Sequence, residues 1–507
     1  MNHSADSLDT DTSLSIVELP LVLTALFARV RRPLLSASHE PLGLFVRYLR
    51  RKPARGLAVI YTVDELRSKP SRKKVANAPN RSVSLTLDEQ ALKGARIRFS
   101  TQQAQQAPLE VQSSGVIRVA DLGLSVQAFP ADNGLPALAT SCDTSRHSLL
   151  FATLESAAQE ELRSSAWQLI AAQAQPVRYK PANRCVIRYR LVLQSSTMAS
   201  QRDLTIFGKV YADPHQAHAV QMLQRQLYDE QARAGQVPFL PRPLAIIDEL
   251  GLTLNEAVQP IGADELDTDG SGDFEAQLRT GTQALQARIV RGRGGQITQV
   301  MLPSEELHLS ALALTRLHTS VVRPEGAPRT GAKEAKRTRE RAALLAAHNP
   351  QQAEGVWHLA HELAARLETL QPAAYWPVHG GFKASQLLFH GHNVFVVDFD
   401  GFCLADPALD VGYFLAYLRP SGLWYQRAGM RQWFADAAEI FMNVYRQGLL
   451  ERGEAQAVVD AILQRSRLYE AALLFKIATR RVNRLNSPRP KELAAILREI
   501  ATCLAEK

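Results

Sequence analysis

The residues of this chain whose types and spacing could carry out chemistry are concentrated between His379 and Asp410. Residues 379–386 read HGGFKASQ, and a short apolar hairpin after them ends in two acids, Asp398 and Asp400. A carboxylate at the end of a buried apolar strand is unfavourable unless a cation meets it. Acids at alternate strand positions can point the same way, and Mg²⁺ prefers such oxygen ligands while it bridges phosphates. The pattern predicts a magnesium site, and the alternative interpretation is that the acids only cap turns and helices.

The acids continue downstream with Asp406, in an Asp-Pro pair, and with Asp410. In this order and spacing, residues 378–415 resemble the catalytic core of the aminoglycoside phosphotransferase and choline kinase group, which has the protein-kinase-like fold. That family shows His-Gly-Asp, four residues and Asn, and then a strand pair that leads to a metal-binding Asp. A second acid, Gly-Asp-Pro and a further Asp come next. The resemblance extends to residues 176–260 and is absent before Cys142.

Two positions depart from the family pattern. Gly381 stands where the family has its catalytic Asp, which orients the acceptor hydroxyl and accepts its proton. Gln386 stands where Asn is usual, and in this respect the chain is similar to maltokinase-like members. Lys383 follows two positions after Gly381, where eukaryotic-type protein kinases have a lysine that neutralises the transferred phosphate. Because phosphoryl transfer relies mainly on positioning and charge stabilisation, a missing base need not abolish activity.

The resemblance implies a role for each residue of this stretch. Asp398 and Gln386 would hold Mg²⁺, and Asp400 would be either a second metal ligand or the base that replaces the missing Asp. Lys383 would stabilise the moving phosphoryl group. His379 would support the catalytic loop rather than react.

The strands that should position the nucleotide lie earlier in the chain. Alternation and turn residues predict strands at 177–179, 185–193, 203–211, 244–250 and 253–258, with a helix at about 215–234. Lys209 is flanked by apolar residues on the third of these strands, so the resemblance implies that it contacts the α and β phosphates of ATP. The sequence does not identify the residue of the following helix that pairs with Lys209, because Gln221 and Gln224 lie nearer the expected turn of that helix than Glu230 does. The alternative is an ordinary solvent-facing lysine.

A basic turn occupies the position at which protein kinases have a glycine-rich loop. The first hairpin of this region turns at residues 180–184, which read KPANR. Basic turn residues can hold anions, so Lys180 and Arg184 are predicted to bind nucleotide phosphates, or otherwise to be solvated turn charges. Val258, in the expected hinge, is the predicted contact to adenine through its backbone groups.

These elements predict an α+β protein with a bilobal, protein-kinase-like arrangement. Residues 143–260 would form a small β-rich N-lobe and residues 261–507 a large helical C-lobe. Residues 1–142 would form an extra N-terminal α+β module of unknown role, with a helix at about 13–32. Helical spacing predicts a further helix from Leu149 to Ala172. The length of 507 residues is compatible with roughly two to four domains.

The N-terminal module contains a motif that occurs again later. Residues 52–55 (KPAR) with the apolar run after them resemble residues 180–184 and the strand that follows, and Val-Arg-Tyr precedes both. The similarity suggests a partial duplication of one hairpin, although two basic strands can also look alike by chance. The basic face from Arg47 to Arg55 supports a weaker hypothesis, nucleic-acid binding with a steep salt dependence.

The composition excludes several classes of protein. Apolar residues make up 46% and charged residues 21%, which rules out a mainly disordered or fibrous chain. The 59 Lys and Arg minus the 50 Asp and Glu give a net charge of +9, which permits anionic ligands without arguing for nucleic acid. The four cysteines form no CxxC pair and are expected to be reduced thiols. No signal peptide or membrane span is evident, so we expect a cytoplasmic protein with no membrane or nucleic-acid partner.

The sequence therefore predicts an ATP-dependent phosphotransferase that uses Mg²⁺ and acts on a small hydroxylated metabolite such as a sugar or an amino alcohol. The alternative is a catalytically impaired pseudo-kinase that binds nucleotide and acts as a regulatory or interaction protein. In that case the segment before Cys142 would be the module that binds a protein partner.

Overall fold

The structure, a computed structural model, describes residues 42–52, 56–65, 82–87, 106, 108–112, 115–120, 124–197, 200–258, 278–291, 297–420, 429–482 and 493–505. These residues form two compact units. The first takes in the described residues as far as His218, together with Leu244–Glu256. The second takes in Ala219–Pro243, Ala257–Val482 and the described residues after Arg489. The domain boundaries expected at residues 142 and 260 stay a prediction.

The first unit begins with a six-stranded antiparallel sheet. Its strands are β1 (Leu42–Lys52), β2 (Gly56–Glu65), β3 (Ser82–Leu87), β4 (Glu110–Val111), β5 (Ile117–Val119) and β6 (Leu124–Ala128). They lie in the order β1-β2-β3-β6-β5-β4. Val119 and Val126 are fully buried, as expected for the inward positions of alternating strands. The helix expected at residues 13–32 lies outside the described residues.

A second antiparallel sheet follows in the first unit. The elements along this part of the chain are α1 (Leu149–Leu162), β7 (Trp167–Lys180), β8 (Arg184–Ser195), β9 (Gln201–Tyr211), α2 (Pro214–Arg233), β10 (Pro243–Ile247) and β11 (Leu252–Glu256). From Ala219 onward, α2 belongs to the second unit. The strand order is β10-β11-β9-β8-β7. The buried core joins Leu150 and Leu154 of α1 to Ile187 and Leu191 of β8 and to Leu254 of β11. The strands predicted for this region, and the helix after the third of them, are confirmed.

The helix predicted from Leu149 to Ala172 is wrong in its second half. The helix begins after Ser148, whose hydroxyl accepts a hydrogen bond from the Phe151 N–H, and ends at Leu162. From Trp167 onward the chain is a strand that pairs with β8. Helical spacing cannot reveal this change, because the hydrogen bonds that favour the strand come from residues about 25 positions away.

The two copies of the repeated motif both form hairpins. In the first, Lys52 pairs with Gly56, and in the second, Lys180 pairs with Arg184, so three residues connect the strands in each case. The register of each hairpin also shifts near its Val-Arg-Tyr sequence, between Val46 and Tyr48 and between residues 176 and 178. Residues 53–55 lie outside the described residues. The two shifts lie at different distances from the turns, so only the three-residue connection is common to both hairpins, and the duplication stays a prediction.

The second unit is mainly helical. Its elements are β12 (Leu278–Thr280), α3 (Gly281–Ala284), β13 (Arg288–Arg291), β14 (Ile297–Met301), α4 (Ser304–His318), α5 (Gly331–His348), α6 (Ala353–Glu368), β15 (Trp376–Val378), β16 (Leu387–His390), β17 (Asn393–Val396), β18 (Cys403–Ala405), α7 (Ala408–Leu418), α8 (Met430–Glu451), α9 (Gln456–Val482) and α10 (Leu493–Ala505). The strands form three small sheets, β12-β16-β17, β13-β14 and β15-β18.

Close helix packing positions residues 378–415 within this unit. A Cβ atom at Gly412 of α7 would lie 2.6 Å from the carbonyl oxygen of Ser466 on α9, so glycine permits the two helices to approach. The α+β class predicted from the sequence, with a sheet-rich region and a larger helical region, is confirmed. Among the described helices, none has the length and apolar character needed to cross a membrane.

Candidate active site

The loop between β15 and β16 is held in place by Asp410, whose side chain is completely buried near the start of α7. Its carboxylate accepts hydrogen bonds from the backbone N–H groups of His379 at 2.6 Å and of Phe382 at 3.4 Å. The imidazole of His318 lies 3.5 Å from the same carboxylate, and its other nitrogen lies 2.7 Å from the Tyr445 hydroxyl. Burial raises the pKa of Asp410, but His318 and the backbone donors outweigh it and lower the pKa below its ordinary value. Asp410 is therefore a carboxylate that fixes the loop.

His379 is buried at the start of this loop, with 1% of its surface exposed. Its Nε2 donates a hydrogen bond to the carbonyl oxygen of Val397 at 3.1 Å, and its ring packs 5.0 Å from that of Phe399. Burial lowers the pKa of His379, although the nearby carboxylate of Asp410 opposes this. A neutral imidazole in this setting suits the supporting role expected for His379. Any part in catalysis stays a prediction.

The two glycines of the loop have different backbone requirements. Gly380 has a φ of +69°, and a Cβ there would lie 2.1 Å from the carbonyl oxygen of Gly401. Only glycine fits at position 380 without a shift of the backbone. At Gly381 the nearest atom to an added Cβ is the His379 Nδ1 at 3.8 Å, which is an ordinary contact. The loop therefore has room for a side chain at the position where the family has its catalytic Asp.

The amide of Gln386 and the carboxylate of Asp398 lie against each other. The Gln386 Nε2 donates to the Asp398 Oδ2 at 2.7 Å, and the Gln386 Oε1 accepts from the Ser385 hydroxyl at 2.9 Å. Backbone contacts fix their spacing, since the Val397 N–H donates to the Gln386 carbonyl at 2.9 Å. Rotation of the amide by half a turn would direct both oxygens to the same point, which suits a hard cation.

The two acids after the hairpin are not arranged as alternate residues of one strand. Strand β17 ends at Val396, and Asp398 has a φ of +72°, in the left-handed region. A 3₁₀ turn from Phe399 to Gly401 then contains Asp400. Strand alternation therefore does not set the directions of the two carboxylates, and the metal that they were expected to share stays a prediction. Among the described residues, no group of three or more His, Cys, Asp or Glu could hold a metal ion. A metal at this place would need the amide of Gln386 as well as the acids.

Asp406 has a structural role in the helical unit. The Arg465 guanidinium donates to its two carboxylate oxygens at 2.6 Å and 3.0 Å, and the Ala408 N–H donates at 3.1 Å. Only 1% of the Asp406 surface is exposed. For this acid the alternative interpretation, a cap at the beginning of a helix, describes the observed contacts.

Lys383 lies beside two tyrosines of α7. Its amino group is 5.6 Å from the centre of the Tyr417 ring and 3.4 Å from the carbonyl oxygen of Gly381. The Tyr413 ring stacks on that of Tyr417, with 6.3 Å between the ring centres. The Tyr413 hydroxyl also accepts a hydrogen bond from Lys476 of α9. These aromatic and cationic neighbours of the loop were not identified from the sequence, because α7 and α9 read as ordinary amphipathic helices.

Arg329 connects this group to the loop. Its Nη1 donates to the carbonyl oxygen of Gly380 at 3.1 Å, its Nε donates to Glu334 at 2.7 Å, and its guanidinium lies 5.8 Å from the Tyr413 ring centre. Burial raises the pKa of the Tyr413 hydroxyl, but Lys476 and Arg329 outweigh it and lower the pKa below its ordinary value. Arg329 and Lys476 therefore place positive charge around Tyr413, next to a loop that is itself held by the Asp410 carboxylate.

In the first unit, Lys209 lies on the central strand β9, between Val186 of β8 and Thr253 of β11. Its amino group is 4.9 Å from the centre of the Tyr211 ring. The preceding residue, Gly208, allows the strands to pack, because a Cβ there would lie 2.6 Å from the Tyr189 ring. The predicted strand position of Lys209 is confirmed, and its contact with nucleotide stays a prediction.

The basic turn is shaped by the segment that precedes α1. The carboxylate of Asp132, which is 2% exposed, accepts a hydrogen bond from the Ala182 N–H at 2.8 Å and from the Tyr179 hydroxyl at 2.6 Å. Ala182 has a φ of +54°, and Gly134 packs directly against it. Lys180 and Arg184 therefore lie on a turn whose backbone is fixed from outside the hairpin. Asp132 was not identified from the sequence, since a lone Asp in a loop carries no pattern.

The remaining predicted positions fall on ordinary elements. Val258 is half-buried just beyond the end of β11. Gln221 and Gln224 are both buried on α2. The Glu230 carboxylate accepts hydrogen bonds from the Ser320 hydroxyl at 2.5 Å and from the N–H of the next residue at 2.8 Å. None of these contacts identifies a residue of α2 that pairs with Lys209.

The structure brings together part of the predicted site. His379, Lys383, Gln386 and Asp398 are joined through the loop, and Asp400 follows in the next turn. Lys209, Lys180 and Arg184 are joined through the hairpin and its neighbouring strand, in the first unit.

Comparison with known proteins gives one family. Residues 209–440 match the phosphotransferase enzyme family, APH. This stretch begins at Lys209 and includes the loop and all four acids, so the resemblance predicted from residues 378–415 is confirmed. A search of curated proteins finds no match.

Several solved structures are similar to this chain at low identity. A glucosamine kinase in complex with glucosamine, ADP and inorganic phosphate is 18% identical with a TM-score of 0.41, over 92% of this chain and 94% of that chain. A choline/ethanolamine kinase family protein from Mesorhizobium loti is 15% identical with a TM-score of 0.35, over 62% and 85%. A choline kinase from Cryptosporidium parvum Iowa II is 10% identical with a TM-score of 0.39, over 70% and 91%.

Proposed function

Residues 209–440 belong to the phosphotransferase enzyme family, and on that premise we propose that the protein transfers a phosphoryl group from ATP to a small hydroxylated metabolite. The observation that carries the proposal is the contact between the Gln386 amide and the Asp398 carboxylate at 2.7 Å, beside a loop fixed by Asp410. With the amide of Gln386 rotated, these two side chains would supply hard oxygen donors to a metal ion.

The metal ion fits this donor set once the Gln386 amide has rotated. Asp398 and Gln386 would hold Mg²⁺, with Asp400 as a further ligand. When bound, such an ion neutralises phosphate charge and orients the transferred group. The chain itself would supply Lys383 near the transferred group, while Lys209, Lys180 and Arg184 would hold the other phosphates and Val258 would contact adenine.

Proton removal from the acceptor is the step that departs from the family. With Gly381 in the loop, no carboxylate occupies the usual position, and Asp400 is the proposed base if it is not a metal ligand. Because positioning and charge stabilisation supply most of the rate in phosphoryl transfer, we expect activity to persist at a reduced rate. A base contributes about 10²–10⁴-fold.

A second candidate function follows from the same glycine. If no other group accepts the proton, the protein would be a pseudo-kinase that binds nucleotide without transferring phosphate. The segment before Cys142, which contains the six-stranded sheet, would then bind a protein partner. The two candidates agree on nucleotide binding and differ only in turnover.

The test measures binding and turnover on the same full-length protein. Mg-ATP should raise the melting temperature, and ADP release should depend on one or more members of a panel of sugars, amino sugars and amino alcohols. Asp398→Asn should lower turnover at least about 100-fold, because a metal contributes several kcal/mol to the transition state. Asp460→Asn, at an exposed position on α9, is the matched control and should leave turnover unchanged.

Two results would change the conclusion. Binding of Mg-ATP without turnover on any member of the panel would favour the pseudo-kinase. No effect of Mg-ATP on melting, together with no turnover, would refute both candidates.

A further inference from the structure

A cavity of about 550 Å³ adjoins the loop at residues 379–386, within the second unit. Ala384 and Ser385 of the loop form part of its wall, and helix α3 forms the wall beside them. The helix and the loop pack closely, because a Cβ atom at Gly281 would overlap the carbonyl oxygen of Ala384. Cavities that hold small ligands have volumes of roughly 300–1,000 Å³. The cavity is therefore large enough for the acceptor of the proposed reaction, and its wall includes the residue just before Gln386.

The charged side chains of the cavity wall neutralise each other. Among the described residues that line the cavity, Arg419 and Glu499 are the charged ones. The Arg419 Nη1 donates to one carboxylate oxygen of Glu499 at 2.7 Å, and Arg431 lies 3.3 Å from the other. The Arg419 Nε and Nη2 donate to Glu470 at 2.9 Å and 2.6 Å. The wall therefore presents a closed ion-pair network, which leaves little charge for a ligand of either sign.

Much of the remaining wall is apolar. Helices α8, α9 and α10 contribute hydrocarbon and aromatic surface through Met430, Trp433, Leu474, Ile477 and Ile496. The nitrogen of the Trp433 ring is used within the protein, since it donates to the carbonyl oxygen of Met301 at 3.0 Å. The Tyr417 hydroxyl likewise accepts a hydrogen bond from the Arg480 Nη1 at 2.7 Å. A wall of this kind favours a ligand with a hydrocarbon or aromatic body, because the transfer of apolar surface out of water is favourable.

The uncharged polar side chains of the wall lie on the loop and on the segment that packs against it. Ser385 belongs to the loop, Thr282 follows Gly281 at the start of α3, and Gln286 comes four residues later. Thr282 and Gln286 are exposed. Hydroxyl and amide groups both donate and accept hydrogen bonds without carrying charge. This part of the wall can therefore bind ligand hydroxyl groups without selecting for a charge.

We infer that the acceptor in this cavity is an uncharged molecule with hydroxyl groups at one end and a hydrocarbon or aromatic body at the other. The hydroxyl end would lie toward Ser385, Thr282 and Gln286, beside the loop, and the body would pack against Trp433 and Ile477. An amine or a carboxylate on the ligand would lose water without gaining an ionic partner, because the charges of the wall are already paired. The inference rests on the proposed function, and it narrows the acceptor to neutral alcohols with an apolar body.

The test compares ligands that share one hydroxylated head and differ in their apolar body or in their charge. Methyl, butyl and hexyl β-glucoside, glucosamine and glucuronate are titrated into the full-length protein by calorimetry, without nucleotide. Hexyl glucoside should bind at least about tenfold more tightly than methyl glucoside, since each methylene that is fully buried contributes about fourfold. Glucosamine and glucuronate should bind no more tightly than methyl glucoside.

Two variants of the wall test whether the cavity is the source of this preference. Ala287→Phe adds a ring at a half-buried position of the wall, and Ile477→Asn replaces apolar surface with an amide. Each should remove most of the preference for the hexyl chain, and either variant that melts like the wild type decides the question. Ala347→Phe, at an exposed position on α5, is the control and should preserve the preference. A preference that survives in a folded wall variant would place the hexyl chain elsewhere and overturn the inference.

Turnover assays with Mg-ATP separate the inference from the proposed function. Phosphorylation of any sugar, with no preference for the hexyl chain in binding, would overturn the inference and leave the function intact. Binding of hexyl glucoside that depends on the cavity, without phosphorylation of any glucoside, would count against the function and leave the ligand class supported. Binding of glucosamine or glucuronate about tenfold more tightly than methyl glucoside would show that the wall does offer a charge, and would overturn the inference. A series in which no ligand binds would overturn it as well.

Discussion

Replacement of Glu334 by glutamine should lower the free energy of unfolding by about 3 kcal/mol at neutral pH, because a buried carboxylate loses its charge beside three arginines. The Glu334 side chain is 1% exposed, and the Arg329 Nε donates to it at 2.7 Å. Arg337 donates to the same oxygen. Burial raises the pKa of Glu334, but Arg329, Arg337 and Arg341 outweigh it and lower the pKa from 4.5 to about 2.

The size of this loss follows from the pKa change of Glu334 and from the cost of breaking buried ion pairs in general. The difference between a pKa of 4.5 in the unfolded chain and about 2 in the folded protein corresponds to about 3 kcal/mol at neutral pH. Removal of one partner from a buried ion pair costs about 3–5 kcal/mol in measured cases. The glutamine keeps a hydrogen-bond acceptor, so the lower end of that range is expected.

The direction of the pH dependence follows from the sign of the pKa change. Because the folded pKa is lower than the unfolded one, Glu334 stabilises the protein fully above the unfolded value and loses this effect as the pH falls toward the folded value. The difference between wild type and Glu334→Gln should therefore be constant above about pH 5.5 and should shrink as the pH falls toward about 2.

The assay is urea unfolding of the full-length protein, followed by tryptophan fluorescence at several pH values. The matched control is Glu368→Gln, which also breaks an Arg–Glu pair, with Arg339 at 2.6 Å, but at an exposed position. Its effect should be much smaller, because water screens exposed pairs. A loss below about 1 kcal/mol in Glu334→Gln, or a loss equal to that of the control, would show that Arg329 is not held as the structure indicates.

Three further predictions concern the loop and the basic turn. Gly380→Ala should destabilise the protein by about 1–3 kcal/mol in urea unfolding, because the φ of Gly380 is +69° and an added Cβ would meet the carbonyl oxygen of Gly401. Gly381→Asp, in contrast, should fold normally, and it should raise kcat if the missing base limits the rate. Equal losses of stability in both would contradict this loop geometry. Asp410→Asn should lower the free energy of unfolding by about 1.5–3 kcal/mol and should also lower kcat, as measured by urea unfolding and by turnover. An unchanged kcat would show that the loop does not need this carboxylate. Asp132→Ala should raise KM for ATP with little change in kcat, because the Ala182 N–H loses its acceptor; an unchanged KM would separate the turn from nucleotide binding.

Local sequence patterns were sufficient for the elements whose hydrogen bonds are made within or next to the element. The strand that carries Lys209, the hairpin at 180–184 and the helix that follows were all predicted, because alternation, turn residues and helical spacing are local properties. The spacing of the acids from Asp398 to Asp410 was likewise enough to indicate a phosphotransferase core, which the match over residues 209–440 bears out.

Other features depend on contacts between residues that are distant in the chain. The segment after Leu162 has helical spacing but is a strand, because β8 supplies its hydrogen bonds. Asp398 follows an apolar strand, yet its backbone turns into the left-handed region, so the alternation that predicted its direction ends two residues earlier. Neither outcome can be read from neighbouring residues.

The sequence by itself determined that the loop at 379–386, the acids after it and Lys209 occur in the order of a phosphotransferase. Only the tertiary structure decided which side chains surround that loop, since Arg329, Tyr413 and Lys476 come from three separate helices or their connections. The physical reason is that side-chain packing and charge compensation depend on distance in space, whereas a sequence pattern records only distance along the chain. The neighbours of the loop therefore became visible only when the helices were assembled.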